Sequence, residues 1–360
     1  MSSLTSKLLN PNLKTLTPYE SARRLFSGGT DWLNANESPF CNELEVEVTA
    51  YNRYPDCQPQ GLIDAYANYA QVKADNVLAT RGADEGIELL IRTFCEYNKD
   101  SILICPPTYG MYKISAQTSG INTVEVPLKE DFSLDIEGIK AIDKVNIVFL
   151  CSPNNPTGTL LDKNDITQLL THFADSALVV LDEAYVEFSP QQNWATLLET
   201  FPNLVVLRTL SKAFALAGLR CGFTLANPAI IQSLLKTIAP YPISAPVAQI
   251  AQKALSVEGV ALMREQVNYL AEEQTRVRHI LSNKAGFSLK GGTEANFILF
   301  QYTYRTQLMQ YLVANGMLIR DQSKQCGLTD CLRMTIGSRE QNDRFLLLID
   351  NYLNDSGEVA

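Results

Sequence analysis

The sequence lacks the residues and patterns that several common protein classes require. It contains only two histidines, His172 and His279, and none of its eight cysteines forms a C-x-x-C pair, which argues against a zinc site. It has no basic tract, and its formal net charge of −9 argues against nucleic acid as the main partner. No run approaches the roughly 18 apolar residues of a membrane span.

Three further absences narrow the class of protein. Residues 1–10 lack a basic segment followed by an apolar run, so we expect no signal peptide. No G-x-G-x-x-G motif follows the first predicted strand, which disfavours a nicotinamide-dependent dehydrogenase. The cysteines are scattered along 360 residues, a distribution typical of reduced thiols rather than of a disulfide framework. These observations predict a soluble, cytoplasmic protein.

The middle of the chain alternates short apolar runs with helical patterns. Patterns such as Asp84–Phe94 and Lys163–Phe173 predict helices. Continuous apolar runs are typical of a parallel sheet covered on both faces, so we expect an α/β domain. The runs that predict its strands are Ser101–Cys105, Val145–Cys151, Ala177–Leu181 and Leu204–Leu207.

The pattern changes after a cluster of prolines at positions 240, 242 and 246. One long helical pattern continues to about Lys284. Predicted strands and helices then follow at Phe297–Phe300, Thr306–Asn315, Leu318–Arg320 and Cys331–Ile336 and after Ser338. We therefore expect an N-terminal segment, 1–37, that packs with a small C-terminal α+β domain, 246–360, and a large α/β domain, 38–245.

Lys212 follows shortly after the predicted strand Leu204–Leu207. A lysine at the end of a buried strand is desolvated, which lowers the pKa of its amine and allows Schiff-base formation. Alone, such a lysine is more often a surface residue. Its neighbours favour the buried interpretation, because the hydroxyls of Thr209 and Ser211 and the guanidinium of Arg220 suit a phosphate monoester.

Polar residues follow other strands and turns of the same domain. Gly82 leads into the helix pattern of residues 84–94, whose N–H groups would attract an anion, although most such turns are only helix caps. Asp182 ends the strand Ala177–Leu181, where it could bind Mg²⁺, hold a protonated ring nitrogen or cap a turn. Asn155 lies in a loop of prolines and glycine that would present its amide rigidly.

Together, SPNNPTG, DEAY and TLSKAFALAGLRCGF resemble the fold-type I pyridoxal-phosphate aminotransferases in order and spacing. Other segments resemble more closely the histidinol-phosphate aminotransferase family, namely LTPYESARRL, WLNANESP, NRYPD, RGADEGIELL, CPPTYGMY and IAPYP. The resemblance covers about Leu16 to Arg339. It implies a large pyridoxal-phosphate-binding domain with a mostly parallel, seven-stranded type of sheet between helices, and a smaller α+β domain.

The resemblance also implies roles for individual residues. Lys212 would bind pyridoxal 5′-phosphate covalently and move the proton, and Asp182 would pair with the ring nitrogen. Tyr185 and Asn155 would bond the 3′-oxygen of the cofactor, and Tyr109 would stack on its ring. The cofactor phosphate would be held by Ala83, Asp84, Thr209, Ser211 and Arg220. Tyr54 would reach that phosphate from a second subunit, which implies a homodimer with shared sites.

Two arginines near the C-terminus and one tyrosine near the N-terminus are candidate substrate-binding residues. Arg333 lies in an apolar strand pattern, where a guanidinium needs an anion, whereas Arg320 alone could be a solvated strand end. By resemblance, Arg333 anchors the substrate carboxylate and Arg320 the side chain or phosphate. Tyr19 would help to hold the phosphate, and Asn155 would also contact substrate.

The implied reaction transfers an amino group between L-glutamate or 2-oxoglutarate and L-histidinol phosphate or imidazole acetol phosphate. It needs no metal, nucleic acid or membrane. An aromatic aminotransferase or a phospho-amino-acid decarboxylase remains an alternative with the same cofactor. A non-catalytic cofactor-binding protein is disfavoured, because it would need neither Lys212 nor Asp182 and Arg333.

Overall fold

The computed structural model describes residues 4, 8–14, 16, 17, 28–46 and 51–356. The strands in this part of the chain are β1 (Asp31–Trp32), β2 (Val77–Thr80), β3 (Ser101–Ile104), β4 (Asn122–Glu125), β5 (Ile147–Cys151), β6 (Leu178–Asp182), β7 (Leu204–Thr209), β8 (Gly222–Ala226), β9 (Phe287–Lys290), β10 (Phe297–Tyr302), β11 (Met317–Leu318), β12 (Arg320–Asp321) and β13 (Cys331–Thr335). The α-helices are α1 (Gln60–Ala70), α2 (Ala83–Phe94), α3 (Met111–Thr118), α4 (Ile136–Lys140), α5 (Lys163–His172), α6 (Pro228–Leu234), α7 (Ala245–Ala254), α8 (Val257–Ser282), α9 (Arg305–Ala314) and α10 (Arg339–Ser356). Short 3₁₀ helices cover Pro11–Leu13, Ala74–Asn76, Val186–Phe188, Trp194–Leu197 and Ala217–Leu219.

The largest element is a seven-stranded sheet in the order β2-β8-β7-β6-β5-β3-β4. Strands β3 to β7 pair in parallel with one another, and β8 runs antiparallel to both of its neighbours. This confirms the predicted, mostly parallel sheet. Because Cys151, Asp182 and Leu207 are in register on β5, β6 and β7, the carboxyl ends of these strands lie together.

Alternate residues of the central strands enter two different cores. Val148 and Leu150 of β5 pack into one cluster, whereas Ile147 and Phe149 pack into the cluster on the opposite face. Successive side chains of a strand point to opposite faces, so a strand covered by helices on both sides is apolar throughout. This burial explains why β5, β6 and β7 are recognisable as continuous apolar runs.

The long helix predicted from Pro246 to Lys284 is wrong, because the structure contains two helices there. Helix α7 ends at Ala254, and α8 begins at Val257. Ser256 caps α8, since its hydroxyl accepts the Gly259 N–H at 3.1 Å. A Cβ on Gly259 would lie 2.4 Å from the carbonyl oxygen of Ala254, so the two helices approach too closely there for a side chain.

The single strand predicted at Leu318–Arg320 is divided between two sheets. Leu318 of β11 pairs with Trp32 of β1, whereas Arg320 of β12 pairs with Arg333 of β13. Strand β12 belongs to a four-stranded antiparallel sheet in the order β12-β13-β10-β9. The change of sheet places the two predicted substrate arginines side by side.

A separate hydrophobic cluster lies under the four-stranded sheet and includes residues of β10, β13, α9 and α10. Helix α8 contributes Met263 to the core of the large sheet and Val277 to this smaller cluster, and α7 packs with the former. Among the helices in the described residues, none combines the length and the apolar character needed to cross a bilayer.

Candidate active site

One cavity of about 460 Å³ lies where the carboxyl ends of β5, β6 and β7 face β12 and β13. The predicted site residues that line it are Ala83, Asp84, Tyr109, Asn155, Asp182, Tyr185, Thr209, Ser211, Lys212, Arg220, Arg320 and Arg333. Tyr54 does not line it: the residue is 81% exposed, and its ring stacks on the ring of Tyr241 with 4.3 Å between the centroids. Tyr19 lies outside the described residues. The two histidines, His172 and His279, are exposed on helices.

The amine of Lys212 lies in this cavity and donates a hydrogen bond to the carbonyl oxygen of Ala35 at 3.0 Å. Burial first, and the charge of Arg333 second, lower the pKa of Lys212 from 10.5 to about 8. A larger fraction of the amine is therefore neutral near pH 7 than in an ordinary lysine. A neutral amine is a nucleophile, so Lys212 is suited to covalent chemistry.

Asp182 is a buried residue at the end of β6 and is 3% exposed. Burial raises its pKa to about 6, and two hydrogen bonds oppose this effect. The hydroxyl of Tyr112 donates to Oδ2 at 2.7 Å, and the N–H of Ala184 donates to Oδ1 at 3.1 Å. The carboxylate is thus mainly ionised at pH 7 and can hold a protonated nitrogen within the cavity.

Tyr112 is a site residue that the sequence interpretation missed, and its removal should change the pKa of Asp182. The Tyr112→Phe variant loses one hydrogen bond to the carboxylate, so we expect the pKa of Asp182 to rise by roughly one to two units. Carboxyl ¹³C NMR titration of the cofactor-free protein measures this shift. Tyr66→Phe is the control, because Tyr66 is equally buried but its hydroxyl bonds with Arg208 and not with Asp182. An unchanged Asp182 titration in Tyr112→Phe would contradict the assignment.

The start of α2 forms a cradle that only glycine permits. Gly82 precedes the helix with φ +78° and has no side chain to cap it, so no N-cap side chain occupies the first N–H groups of the helix. A Cβ on Gly82 would lie 2.7 Å from Nη2 of Arg220, and a Cβ on Gly222 would lie 2.5 Å from the carbonyl carbon of Gly82. Both glycines are therefore required for this close approach.

Hydrogen-bond donors surround the cradle. The hydroxyl of Thr209 donates to that of Ser211 at 2.8 Å, and Arg220 reaches Ser211 at 3.5 Å. Asp84 accepts from the Tyr109 hydroxyl at 2.9 Å and from Arg220 at 3.4 Å. Helix N–H groups, hydroxyls and a guanidinium together are the donor set that a phosphate group needs.

Arg333 and Arg320 lie on the other side of the cavity. Arg333 is 6% exposed, donates to the carbonyl oxygen of Asn34 at 3.2 Å and to Oδ1 of Asn155, and lies over the ring of Phe297. Arg320 is its directly opposite neighbour on β12, so both side chains leave the same face of the sheet. Two adjacent guanidinium groups can bind one dianion or two separate carboxylates.

Residues 34–36 are the main part of the site that the sequence interpretation missed. The carbonyl oxygens of Asn34 and Ala35 accept from Arg333 and Lys212, and the amide of Asn36 donates to the Tyr185 hydroxyl at 2.8 Å. In the sequence these residues are only part of a family motif, because nothing in their local pattern indicates which distant side chains they meet.

Comparisons with known proteins point to one family. The model of the family "Aminotransferase class I and II" matches residues 30–349. Over 98% of this chain and 96% of the relative, the sequence is 56% identical to a histidinol-phosphate aminotransferase of Pseudoalteromonas atlantica. It is 51% identical to the enzyme of the same name from Serratia proteamaculans, over 94% of this chain and 93% of the relative. The fold is similar to that of histidinol-phosphate aminotransferase from Sinorhizobium meliloti in complex with pyridoxal-5′-phosphate, with a TM-score of 0.83, 22% identity and coverage of 97% and 98% of the two chains.

Proposed function

Because this chain belongs to the class I and II aminotransferase family, we propose that it is a histidinol-phosphate aminotransferase that uses pyridoxal 5′-phosphate. It transfers an amino group between L-glutamate or 2-oxoglutarate and L-histidinol phosphate or imidazole acetol phosphate, in histidine biosynthesis. The observation that carries the proposal is the position of Lys212. Its amine, with a lowered pKa, lies in one cavity with the carboxylate of Asp182 and the glycine cradle at Gly82.

The residues present fit this cofactor. The cradle around Gly82 and Gly222 suits its phosphate, and Asp182 suits its ring nitrogen. Tyr185 and Asn155 line the same cavity and suit the 3′-oxygen, while Tyr109 suits stacking on the ring. When bound, the cofactor supplies an electron sink for the pair that is left when the α-proton of the substrate is removed.

Lys212 performs the proton transfer in this proposal. Its pKa of about 8 lies near the operating pH, where one group serves efficiently both as base and as acid. Asp182 stays ionised above about pH 6 and keeps the ring nitrogen protonated. The hydrogen bond from Tyr112 stabilises that ionised form, since it lowers the pKa of the carboxyl group.

Arg333 and Arg320 provide the substrate specificity. L-Glutamate presents an α-carboxylate where L-histidinol phosphate presents a phosphate ester, so one site must accept both anions. A guanidinium fork binds either group through two parallel hydrogen bonds. Arg320, beside it on β12, is placed for the second anion, which is the distant carboxylate of glutamate or part of the phosphate. Tyr19 is retained as a phosphate contact on resemblance alone.

A substrate panel tests the proposal. Purified holoenzyme is assayed for 2-oxoglutarate-dependent consumption of L-histidinol phosphate, an aromatic amino acid and a phosphorylated amino acid. We expect the highest kcat/KM for L-histidinol phosphate, with glutamate as product. A preference for the aromatic amino acid, or CO₂ release from the phosphorylated one, would contradict the substrate assignment.

The close approach of Gly222 to the backbone of Gly82 can be tested by substitution. Gly222→Ala forces its new Cβ against the backbone of Gly82, so we expect weaker binding of pyridoxal phosphate and a loss of about 1–3 kcal/mol in the free energy of unfolding. Gly218→Ala is the matched control for the unfolding measurement, because a Cβ at that position would have no protein atom within 4 Å and the residue lies in the 3₁₀ helix just before β8. Equilibrium dialysis and urea denaturation measure the two effects. An equal loss of unfolding free energy in the two variants, or unchanged cofactor binding in Gly222→Ala, would contradict the role of the cradle.

The proposed assembly is a homodimer with shared sites. Its support is the exposed Tyr54, which stacks on the half-exposed Tyr241 at 4.3 Å, because large aromatic residues are enriched at interfaces. We expect Tyr54→Phe to weaken the binding of the cofactor phosphate by roughly 0.5–1.5 kcal/mol, the worth of one hydrogen bond. Cofactor titration measures the loss, and sedimentation that finds a fully active monomer would contradict the shared site.

The chain has two folded domains in this proposal. We divide the chain into an N-terminal segment, 1–37, a large domain, 38–245, and a small domain, 246–360. The separate hydrophobic clusters under the two sheets support this division, with α7 as an extension that packs on the large domain.

We place the enzyme in the cytoplasm, because all eight cysteines, each within the described residues, are free thiols.

A further inference from the structure

We infer that Asn36 is a positioning residue that orients the hydroxyl of Tyr185 so that it donates its hydrogen into the cavity. The inference rests on the proposed function, in which the acceptor is the 3′-oxygen of the cofactor. Asn36 is 1% exposed, and its Nδ2 donates to the Tyr185 hydroxyl at 2.8 Å. Because that hydroxyl oxygen accepts from Asn36, its own hydrogen remains for another acceptor.

The neighbours of Asn36 fix the direction of this hydrogen bond. Its main-chain N–H donates to Oγ1 of Thr335 at 2.9 Å, and the Thr335 hydroxyl in turn lies 3.3 Å from Oδ1 of Asn36. The threonine hydroxyl thus donates to the amide oxygen, which turns the NH₂ end of the amide toward Tyr185. The carbonyl oxygen of Asn36 accepts from Asn296 at 3.1 Å, so each polar group of the residue has a partner.

The backbone at Asn36 favours asparagine in particular. Its φ is +53°, in the left-handed region that asparagine and glycine adopt more readily than other residues. Aspartate would lack the N–H group, and the hydroxyl of Tyr185 would then donate to the carboxylate instead of to the cavity. The position therefore combines a left-handed backbone with a side chain that is a donor at one end.

The side chain of Asn155 is also oriented by a neighbour, so that it presents a donor to the cavity. Its Oδ1 accepts from Arg333, so its Nδ2 is the group that remains for a ligand. Two donors, the hydroxyl of Tyr185 and the amide of Asn155, are thereby available to one cavity. Both arrangements depend on β13, which carries Arg333 and Thr335 two residues apart and hence on the same face. A pair of donors stabilises an oxygen that carries negative charge.

The test compares Asn36→Gly, Tyr185→Phe and the double variant. Glycine accepts φ +53° and keeps the main-chain bonds to Thr335 and Asn296, so Asn36→Gly removes only the amide. The readout is the pH midpoint of the absorption change of the bound pyridoxal phosphate. A donor at the 3′-oxygen stabilises its charge and lowers that midpoint, so we expect each single variant to raise it by about 0.5–1 pH unit.

The double variant separates positioning from a general structural effect. If Asn36 acts through Tyr185, the double variant shows the same midpoint as Tyr185→Phe. Asn203→Ala is the control, because Asn203 is a buried residue whose amide bonds to two carbonyl groups at the opposite end of β7. It should lower the melting temperature and leave the midpoint unchanged.

Three results would overturn the inference. They are an unchanged midpoint in Asn36→Gly, a shift that adds fully to that of Tyr185→Phe, or an equal shift in Asn203→Ala. In each of these cases the proteins still bind pyridoxal phosphate at Lys212, and the proposed function stands. A wild-type protein that binds no pyridoxal phosphate overturns the proposed function and the inference with it.

Discussion

Lys212→Ala is expected to fold, to retain weak binding of pyridoxal phosphate through the cradle, and to lose turnover. General acid–base catalysis alone contributes about 10²–10⁴-fold, and Lys212 also supplies the covalent attachment, so the loss of kcat should exceed about 10²-fold. Steady-state assays with L-histidinol phosphate and 2-oxoglutarate measure it. Turnover close to that of the wild type would contradict the assignment of Lys212.

The same variant carries a prediction about stability and pH. In the folded protein the pKa of Lys212 is about 8, below the ordinary value of 10.5, so the folded chain binds fewer protons than the unfolded chain between these values. The stability of the wild type therefore gains with rising pH across this window, and burial of the charged amine is unfavourable below it. We expect cofactor-free Lys212→Ala to be the more stable protein at pH 7, with the difference shrinking toward pH 10.5. Urea denaturation at several pH values measures this difference.

Arg333→Lys is expected to impair both half-reactions. Lysine keeps the charge but loses the planar fork, and a single ammonium group cannot form the two parallel hydrogen bonds that the fork makes with a carboxylate or a phosphate. Loss of one charged hydrogen bond costs about 1.5–3 kcal/mol, which corresponds to a decrease of about 10- to 150-fold in kcat/KM. Single-turnover measurements with L-glutamate and with L-histidinol phosphate separate the two half-reactions.

Tyr19→Phe provides the comparison for Arg333→Lys. Because Tyr19 is expected to help to hold the substrate phosphate, this variant should mainly slow the half-reaction with L-histidinol phosphate. If Arg333→Lys spares glutamate, while Tyr19→Phe damages glutamate more than L-histidinol phosphate, the proposed division of roles is wrong.

The sequence is sufficient to predict those strands and helices whose own residues carry a clear pattern. Strands β5, β6 and β7 are buried on both faces, so their apolar runs are visible in the sequence. The polar residues that follow these runs are then recognisable as ligand-binding residues. Strand β4 is not visible in this way, because Asn122 and Glu125 are exposed at the edge of the sheet and interrupt any apolar run. The break before α8 is equally hard to find, because a serine cap inside a helical pattern resembles an ordinary polar position.

Contacts between segments that are distant in the chain limit how much of the site can be predicted from the sequence. The bonds of Asn36 reach Tyr185 and Thr335, which are 149 and 299 residues away in the chain. No periodicity or turn signal in residues 34–36 indicates these partners, since they follow from the way β13 and the 3₁₀ turn after β6 meet. Tyr112 was missed for the same reason: its hydroxyl finds Asp182 only when α3 packs against the sheet.

The most direct test of the central claim, that this cavity is built around Lys212, is chemical trapping of the cofactor. Purified protein is incubated with pyridoxal phosphate, reduced with borohydride, digested and analysed by mass spectrometry. We expect one modified residue, Lys212, with loss of the visible absorption band on reduction and no modification of that peptide in Lys212→Ala. Modification at another lysine, or none with the cofactor still bound, would contradict the claim.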